Sequence, residues 1–386
     1  MWYCTSSEPS PRMKMNRKSL FLSTILLLVI SVKLQATDIQ HMYEASLPVV
    51  SQDIDIRKAA FEQALIEVSV RISGTSLAPT QLNLSDAGRL ISQYRYRALS
   101  DHEITTYFQK TPALVQPKYK LWVQFDEDKL KQLLRENDLP LWGYQRPNVL
   151  VWLAVKDGRN RYLLKQADQS QIKSAVEQGA KRRGLPIVWP EYDAADQRLV
   201  EFTDVWGQFW EPVKQASQRY AVNAILLGRM NWSKGSWQVD WSLMQEDKIE
   251  NWSVNAEDLA LLTSSGIGIA TDSISSRFAV FADSVNNAGL IVRVSNLYTV
   301  KKYSEAAHYL ASLAPVKNVY AREVNKQQVD FYIDLNGDED DLRRIIALGK
   351  VLTVDTRPMP VEEINKTSRN SEHESMPRIL RYSLDR

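Results

Sequence analysis

Seven consecutive apolar residues, Val149-Leu150-Val151-Trp152-Leu153-Ala154-Val155, constrain this chain more than any other stretch. Side chains alternate between the two faces of a strand, so a strand without polar alternation must be covered on both. Such a strand belongs inside a parallel sheet, whose crossover helices supply the covers. The following residues provide them. Ser170 to Arg183 reads as a helix, with Lys181, Arg182 and Arg183 at its negative end and Gly184 beyond. Leu185 to Trp189 reads as a strand. Phe202 to Tyr220 reads as a second helix with Trp206, Phe209, Trp210, Val213 and Tyr220 on one face, feeding a strand at Ala224 to Gly228. The pattern then turns antiparallel. Ser233-Lys234-Gly235 joins strands carrying Trp232 and Trp237, and Asp258 to Ala282 reads as a closing helix. Residues 147–284 are expected to form a three-layer α/β domain with an appended hairpin.

A length of 386 residues corresponds to two or three domains at about 150 residues each. Residues 37–146 read as an N-terminal α+β domain in the order strand, helix, short helix, two strands, helix. Its first helix carries Ala60, Phe61, Ala64, Leu65, Val68 and Ile72 at helical spacing, with Ser51 or Asp53 to cap it and Gly74 at its stop. Lys118 to Phe125 alternates as a strand, and Asp126 caps a helix through Arg135. Residues 288–356 give strand, helix, strand, strand, helix, strand, the order of a ferredoxin-like βαββαβ domain. From 357 to 386 apolar periodicity fades into Pro, Ser, Asn and mixed charge, which predicts a disordered tail. The fold class expected is multidomain, α/β and α+β.

At the start of the chain, Lys14, Arg17 and Lys18 precede an apolar run from Leu20 to Val32, and Ala36 offers a cleavage point. That predicts a secretory signal peptide over residues 1–36, with a periplasmic product. An uncleaved anchor in the inner membrane is the alternative. Residues 1–12 do not suit a signal's basic region, so Met13 or Met15 is a candidate true start. The single cysteine, Cys4, lies upstream of the run and leaves the mature chain without disulfide, thiolate ligand or cysteine nucleophile. Removing residues 1–36 takes five bases and one acid from 48 Lys+Arg and 46 Asp+Glu, leaving 43 against 45. This near balance argues against nucleic acid as a partner.

No catalytic constellation is legible. A dinucleotide fold would place glycines after the first central strand, where the chain instead reads Lys156-Asp157-Gly158-Arg159-Asn160. Gly266-x-Gly268 lies in the predicted closing helix and lacks a third glycine, so it reads as a close-packing site. No nucleotide is expected. His41, His102, His308 and His373 are scattered, without metal-ligand spacing. Asp334, Asn336, Asp338 and Asp340 imitate a calcium loop, but Gly337 is misplaced and Ile345 stands where a bidentate Glu belongs. Asp338 reads better as a helix cap. We therefore expect no catalytic residue, cofactor or metal.

Tryptophan is the compositional oddity: nine of eleven lie between Trp142 and Trp252. Trp237 and Trp241 alternate with Gln238, Asp240 and Ser242 and share a sheet face, which cross-strand neighbours such as Trp232 can join or oppose, with Trp252 the fourth candidate. Two readings follow: a core face beneath the helix at 258–282, or a ring-lined face for peptidoglycan, polysaccharide or a protein.

Arg57-Lys58-Ala59-Ala60-Phe61-Glu62-Gln63-Ala64-Leu65, Val70-Arg71-Ile72-Ser73-Gly74, Tyr94-Arg95-Tyr96, Val123-Gln124-Phe125-Asp126, Leu141-Trp142-Gly143, Arg146-Pro147 and Ala224-Ile225-Leu226-Leu227-Gly228-Arg229 together resemble the exported bacterial family called domain of unknown function 2066. The resemblance implies an exported envelope protein and supplies no catalytic residues. The middle segment is also similar to domains of envelope assembly lipoproteins such as the curli secretion channel and the activators of penicillin-binding proteins. The mature chain has no cysteine to carry their lipid. The function expected is a non-enzymatic scaffold that binds envelope proteins; the alternative is glycan binding through Trp232, Trp237, Trp241 and Trp252.

Overall fold

The computed structural model describes residues 41–110, 115–281, 290–325, 327–357 and 378–384, with the side chains of 106–110 excepted. The signal segment, Cys4, both alternative starts and His373 lie outside the described residues. The fold is mixed α/β, with three sheets among the described residues.

The first sheet has the order β1 (Glu44–Val49), β3 (Tyr119–Phe125), β2 (Ile91–Ala98), all antiparallel. Helix α1 (Ile54–Ser73) lies on it, burying Ala60, Ala64, Leu65, Val68 and Ile72, while Phe61 stays half-buried. Asp53 holds the N-cap position, but its carboxylate accepts the Ser51 hydroxyl at 2.6 Å rather than a helix N–H. Gly74 ends α1 at φ 78°, a left-handed conformation that suits glycine. Helix α2 (Asp101–Lys110) follows β2, and α3 (Glu127–Glu136) follows β3 with Asp126 accepting from the Lys129 N–H.

The central sheet runs β5 (Asn160–Leu163), β4 (Val149–Asp157), β7 (Ala224–Ser233), β8 (Ser236–Gln245), β9 (Lys248–Ala256), with the short β6 (Ile187–Val188) beside β4. β4 and β7 are parallel, and every residue from Val149 to Val155 is buried. Val149, Val151, Leu153 and Val155 face the core under α4 (Gln171–Arg183) and α7 (Leu259–Phe278). Leu150, Trp152 and Ala154 face the opposite core, under α5 (Phe202–Trp206) and α6 (Trp210–Ser217).

The expected single helix at 202–220 is therefore broken. Gln208 adopts φ 55° behind Gly207, and its side-chain amide donates to the Asp240 carbonyl at 3.3 Å. A left-handed residue cannot continue a right-handed helix, and Phe209 is left 60% exposed.

The third sheet overturns two expectations. β10 (Leu290–Ser295), α8 (Val300–Ser312), β11 (Val316–Asn325), β12 (Gln328–Leu335), α9 (Glu339–Leu348) and β13 (Leu352–Val354) follow the expected order of elements. A four-stranded ferredoxin-like sheet would put the last strand beside the first. Here β14 (Ile379–Leu384) takes that slot, parallel to β10 and antiparallel to β13, so the sheet is β11-β12-β10-β14-β13. The segment 357–386 is thus not wholly a disordered tail: Leu380, Tyr382 and Leu384 are core residues of this sheet. They alternate with the less buried Ile379, Arg381 and Ser383, as a strand with one buried face must.

Candidate functional site

The four tryptophans occupy one face of the central sheet. Trp232 is directly opposite Trp237, Trp241 is opposite Trp252, and Trp237 and Trp241 are four residues apart on β8. That face lies beneath α7. Trp241 is 1% exposed, pressed between Gly228 and Gly266. Trp252 is half-buried, with its indole N–H out of solvent. Only Trp232, 38% exposed, and the partly buried Trp237 reach the rim, their rings 5.0 Å apart and tilted. A ring face for glycans across all four is therefore corrected: the helix needs that face as core, and Trp241 cannot touch a ligand.

The opposite face holds a groove that sequence reasoning missed. Lys156 from β4, Arg229 and Asn231 from β7, and Gln238 and Asp240 from β8 line a space of about 200 Å³ walled by Trp206 of α5. Lys156, Arg229 and Asn231 sit toward the carboxyl ends of the two parallel strands, where open α/β sheets commonly receive ligands. The helix break brings Trp206 here, its ring stacked on Phe202 at 5.4 Å. Arg229 Nε donates to Asp240 Oδ2 at 2.9 Å, and the Ser253 hydroxyl donates to Oδ1 at 2.5 Å. Burial raises the Asp240 pKa, but these hydrogen bonds outweigh it and hold the carboxyl below its ordinary range. The Lys156 ammonium has no ion-pair or hydrogen-bond partner among the described residues. The only advance signal was the alternation of polar residues along β8.

Four motif residues of the family resemblance, Arg71, Trp142, Gly143 and Arg146, converge elsewhere, at a joint between the first and central sheets. Arg146 donates from Nε to Gly143, from Nη1 to Arg183 and Gly184, and from Nη2 to Arg71 and Trp142, always to carbonyl oxygens at 2.8–3.1 Å. Its five N–H groups are all used. The Arg71 and Arg183 carbonyls lie in the last turns of α1 and α4, so the buried cation faces the negative ends of two helices. Burial, then the neighbouring Arg71 charge, push the Arg146 pKa well down. Trp142 is fully buried under the guanidinium, 3.9 Å from Arg146 Cζ to the ring centroid. Arg71 pairs with Glu67 at 2.5 Å and donates to three carbonyls of residues 41–44, and Arg183 pairs with Asp272.

Among the described residues no three His, Cys, Asp or Glu side chains gather as a metal site. Asp338 caps α9 in a reciprocal box with Asp341. Asp334 accepts from Asn318 at 3.1 Å. Gly266 is pressed on Trp241 as a packing glycine, whereas Gly268 faces open space. Among the described residues no helix is long and apolar enough to cross a membrane.

Residues 36–143 match a family described as a domain of unknown function, DUF8605. It is a different family from the one the sequence motifs resemble. No curated protein matches the chain. Among solved structures, TolB from Acinetobacter baumannii is similar at 10% identity and a TM-score of 0.22, over 41% of this chain and 34% of that one. The chain thus spans about a third of that protein's length. A structure described only as an uncharacterised protein is similar at 10% identity and a TM-score of 0.17, over 34% of this chain and 91% of that one.

Proposed function

We propose that this chain is a non-enzymatic, exported envelope protein that binds other proteins as a periplasmic scaffold after loss of its signal peptide. The observation that carries this reading is the outer edge of the central sheet. β9 is last in the strand order, and all nine of its residues pair one-for-one with β8 without a bulge. One side of its backbone is thereby left to accept an added strand. The outer strands β2 and β11 each carry register irregularities, which spoil such an edge. The arginine joint supports the same reading, since it fixes the first sheet to the sheet that presents β9.

Several strongly shifted groups have structural partners: Arg146, and Tyr43 close to it, belong to the joint, and Asp355 and Asp193 are held down by their pairing with Arg357 and Arg219. In this reading the chain has three domains: an α+β unit, a three-layer α/β unit with an added antiparallel strand pair, and a second α+β unit whose five-stranded sheet takes in β14.

The test is crosslinking in living cells followed by purification of the adducts. A recurrent envelope protein joined to peptides from 248–256 is the expected result. Adducts distributed evenly over the exposed surface, or turnover of a cell-wall substrate by the purified protein, would overturn the reading.

A further inference from the structure

The groove walled by Trp206 has parts that no structural role absorbs. The Arg229–Asp240 pair alone is an ordinary cross-strand ion pair, since the two residues are directly opposite on β7 and β8. That accounts for Arg229 Nε and Asp240. It leaves both Nη nitrogens of Arg229 and the ammonium of Lys156 without hydrogen-bond partners among the described residues, and both residues line the same groove. Asp240 is already occupied by Arg229 and Ser253. The groove therefore offers an excess of donors and one uncompensated positive charge.

The surroundings narrow the ligand. Asn231 and Gln238 add neutral amides to the groove. Beyond them the same face continues on β9 with Asn251, Ser253 and Asn255, all exposed, opposite Ser242, Asp240 and Gln238. From Ile249 to Asn255 this side of β9 carries no charged residue. An amide-and-hydroxyl floor matches hydroxyl and acetamido groups, and the face of an indole packs against a sugar ring. A space of about 200 Å³ suits one ring rather than a drug-sized molecule. The near-neutral mature chain gives no field to hold a nucleic acid backbone.

We propose that this groove binds an acidic saccharide, with the sugar ring against Trp206 and its carboxylate between Lys156 and Arg229. This reading shares a face of β9 with the proposed function but rests neither on strand addition to the β9 edge nor on the four tryptophans under α7.

The probe pair is N-acetylmuramic acid and N-acetylglucosamine, which differ by the lactyl carboxylate. The full mature chain is labelled with 5-fluorotryptophan, and the Trp206 resonance is assigned by its loss in Trp206→Phe. The muramic acid should move that resonance, and the neutral sugar should not. Lys156→Gln should weaken the response roughly tenfold or more, as the loss of a charge-assisted contact does. The Trp241 resonance, in the core, reports that the variant is folded. Equal response to both sugars, no response of Trp206, or an undiminished response in folded Lys156→Gln would each overturn the proposal. Cosedimentation then separates the sources: binding to peptidoglycan strands whose stem peptides an amidase has removed, which frees the lactyl carboxylates, assigns the sugar to the cell wall, and binding to alginate assigns it to an acidic exopolysaccharide. Failure to bind either would contradict it.

Discussion

Arg146 donates through Nη2 to the carbonyl oxygen of Arg71 at 2.8 Å, tying the last turn of α1 to the chain entering the central sheet. A buried cation aimed at another arginine's backbone is stable here because helix ends supply the negative potential that a carboxylate would otherwise provide.

Arg146→Met should therefore strand five carbonyl oxygens at once. We expect a loss of about 3–5 kcal/mol, the range for removing one partner of a buried charged network. Arg146→Lys should recover only part of it, since an ammonium brings three donors without the planar fork. Urea unfolding of the mature protein measures both; an unchanged midpoint for Arg146→Met would contradict the joint.

In α7, a methyl group at Gly266 would fall against the Trp241 indole nitrogen, whereas at Gly268 nothing lies within 4 Å. Gly266→Ala should destabilise by about 1–3 kcal/mol through overpacking. Gly268→Ala should stabilise by about 0.5–1 kcal/mol through helix propensity. Thermal melts of the two variants should move in opposite directions, and a shared direction would show that the helix does not seal Trp241.

The hydroxyl of Tyr309 is buried without a hydrogen-bond partner among the described residues, and burial, with Tyr382 as the lesser cause, pushes its pKa up to about 12. Above pH 10 the unfolded phenol loses its proton while the folded one keeps it, so stability falls as pH rises, by about 1.4 kcal/mol per pH unit for this group. Tyr309→Phe should remove that share of the alkaline loss between pH 10 and 12 and cost little at pH 7. Urea midpoints across that window are the check; an identical alkaline slope in the variant would refute it.

Deleting residues 379–386 should open the third sheet, because Leu380, Tyr382 and Leu384 fill the slot between β10 and β13. Amide hydrogen exchange over Ile291–Ser295 should rise sharply, while the β4 amides stay protected. Unchanged protection at Ile291–Ser295 would mean that β14 is dispensable.

What the sequence made legible follows from how much context each signal needs. Val149–Val155 announced a doubly covered strand by itself, and the expected caps at Asp126 and Asp338 each accept the third N–H onward. β14 escaped because three apolar residues in alternation, after a long polar stretch, carry little periodic signal; its place is set by the gap between β10 and β13. The break at Gly207-Gln208 escaped because apolar residues kept helical spacing across it. The groove depends on that break, which delivers Trp206, and on the pairing of β4, β7 and β8, which assembles residues 156, 229 and 240. No local pattern joins positions that far apart.

The central claim, a protein scaffold working through an open sheet edge, is tested most directly by photo-crosslinking in cells from single sites. A photoreactive residue replaces Ile249, Asn251 or Ser253 on β9, with Arg322 on β11 and Leu261 on α7 as exposed controls. The account predicts one recurrent protein adduct from the β9 sites and none from the controls. Adducts from the controls alone, or no protein adduct from any β9 site, would contradict it.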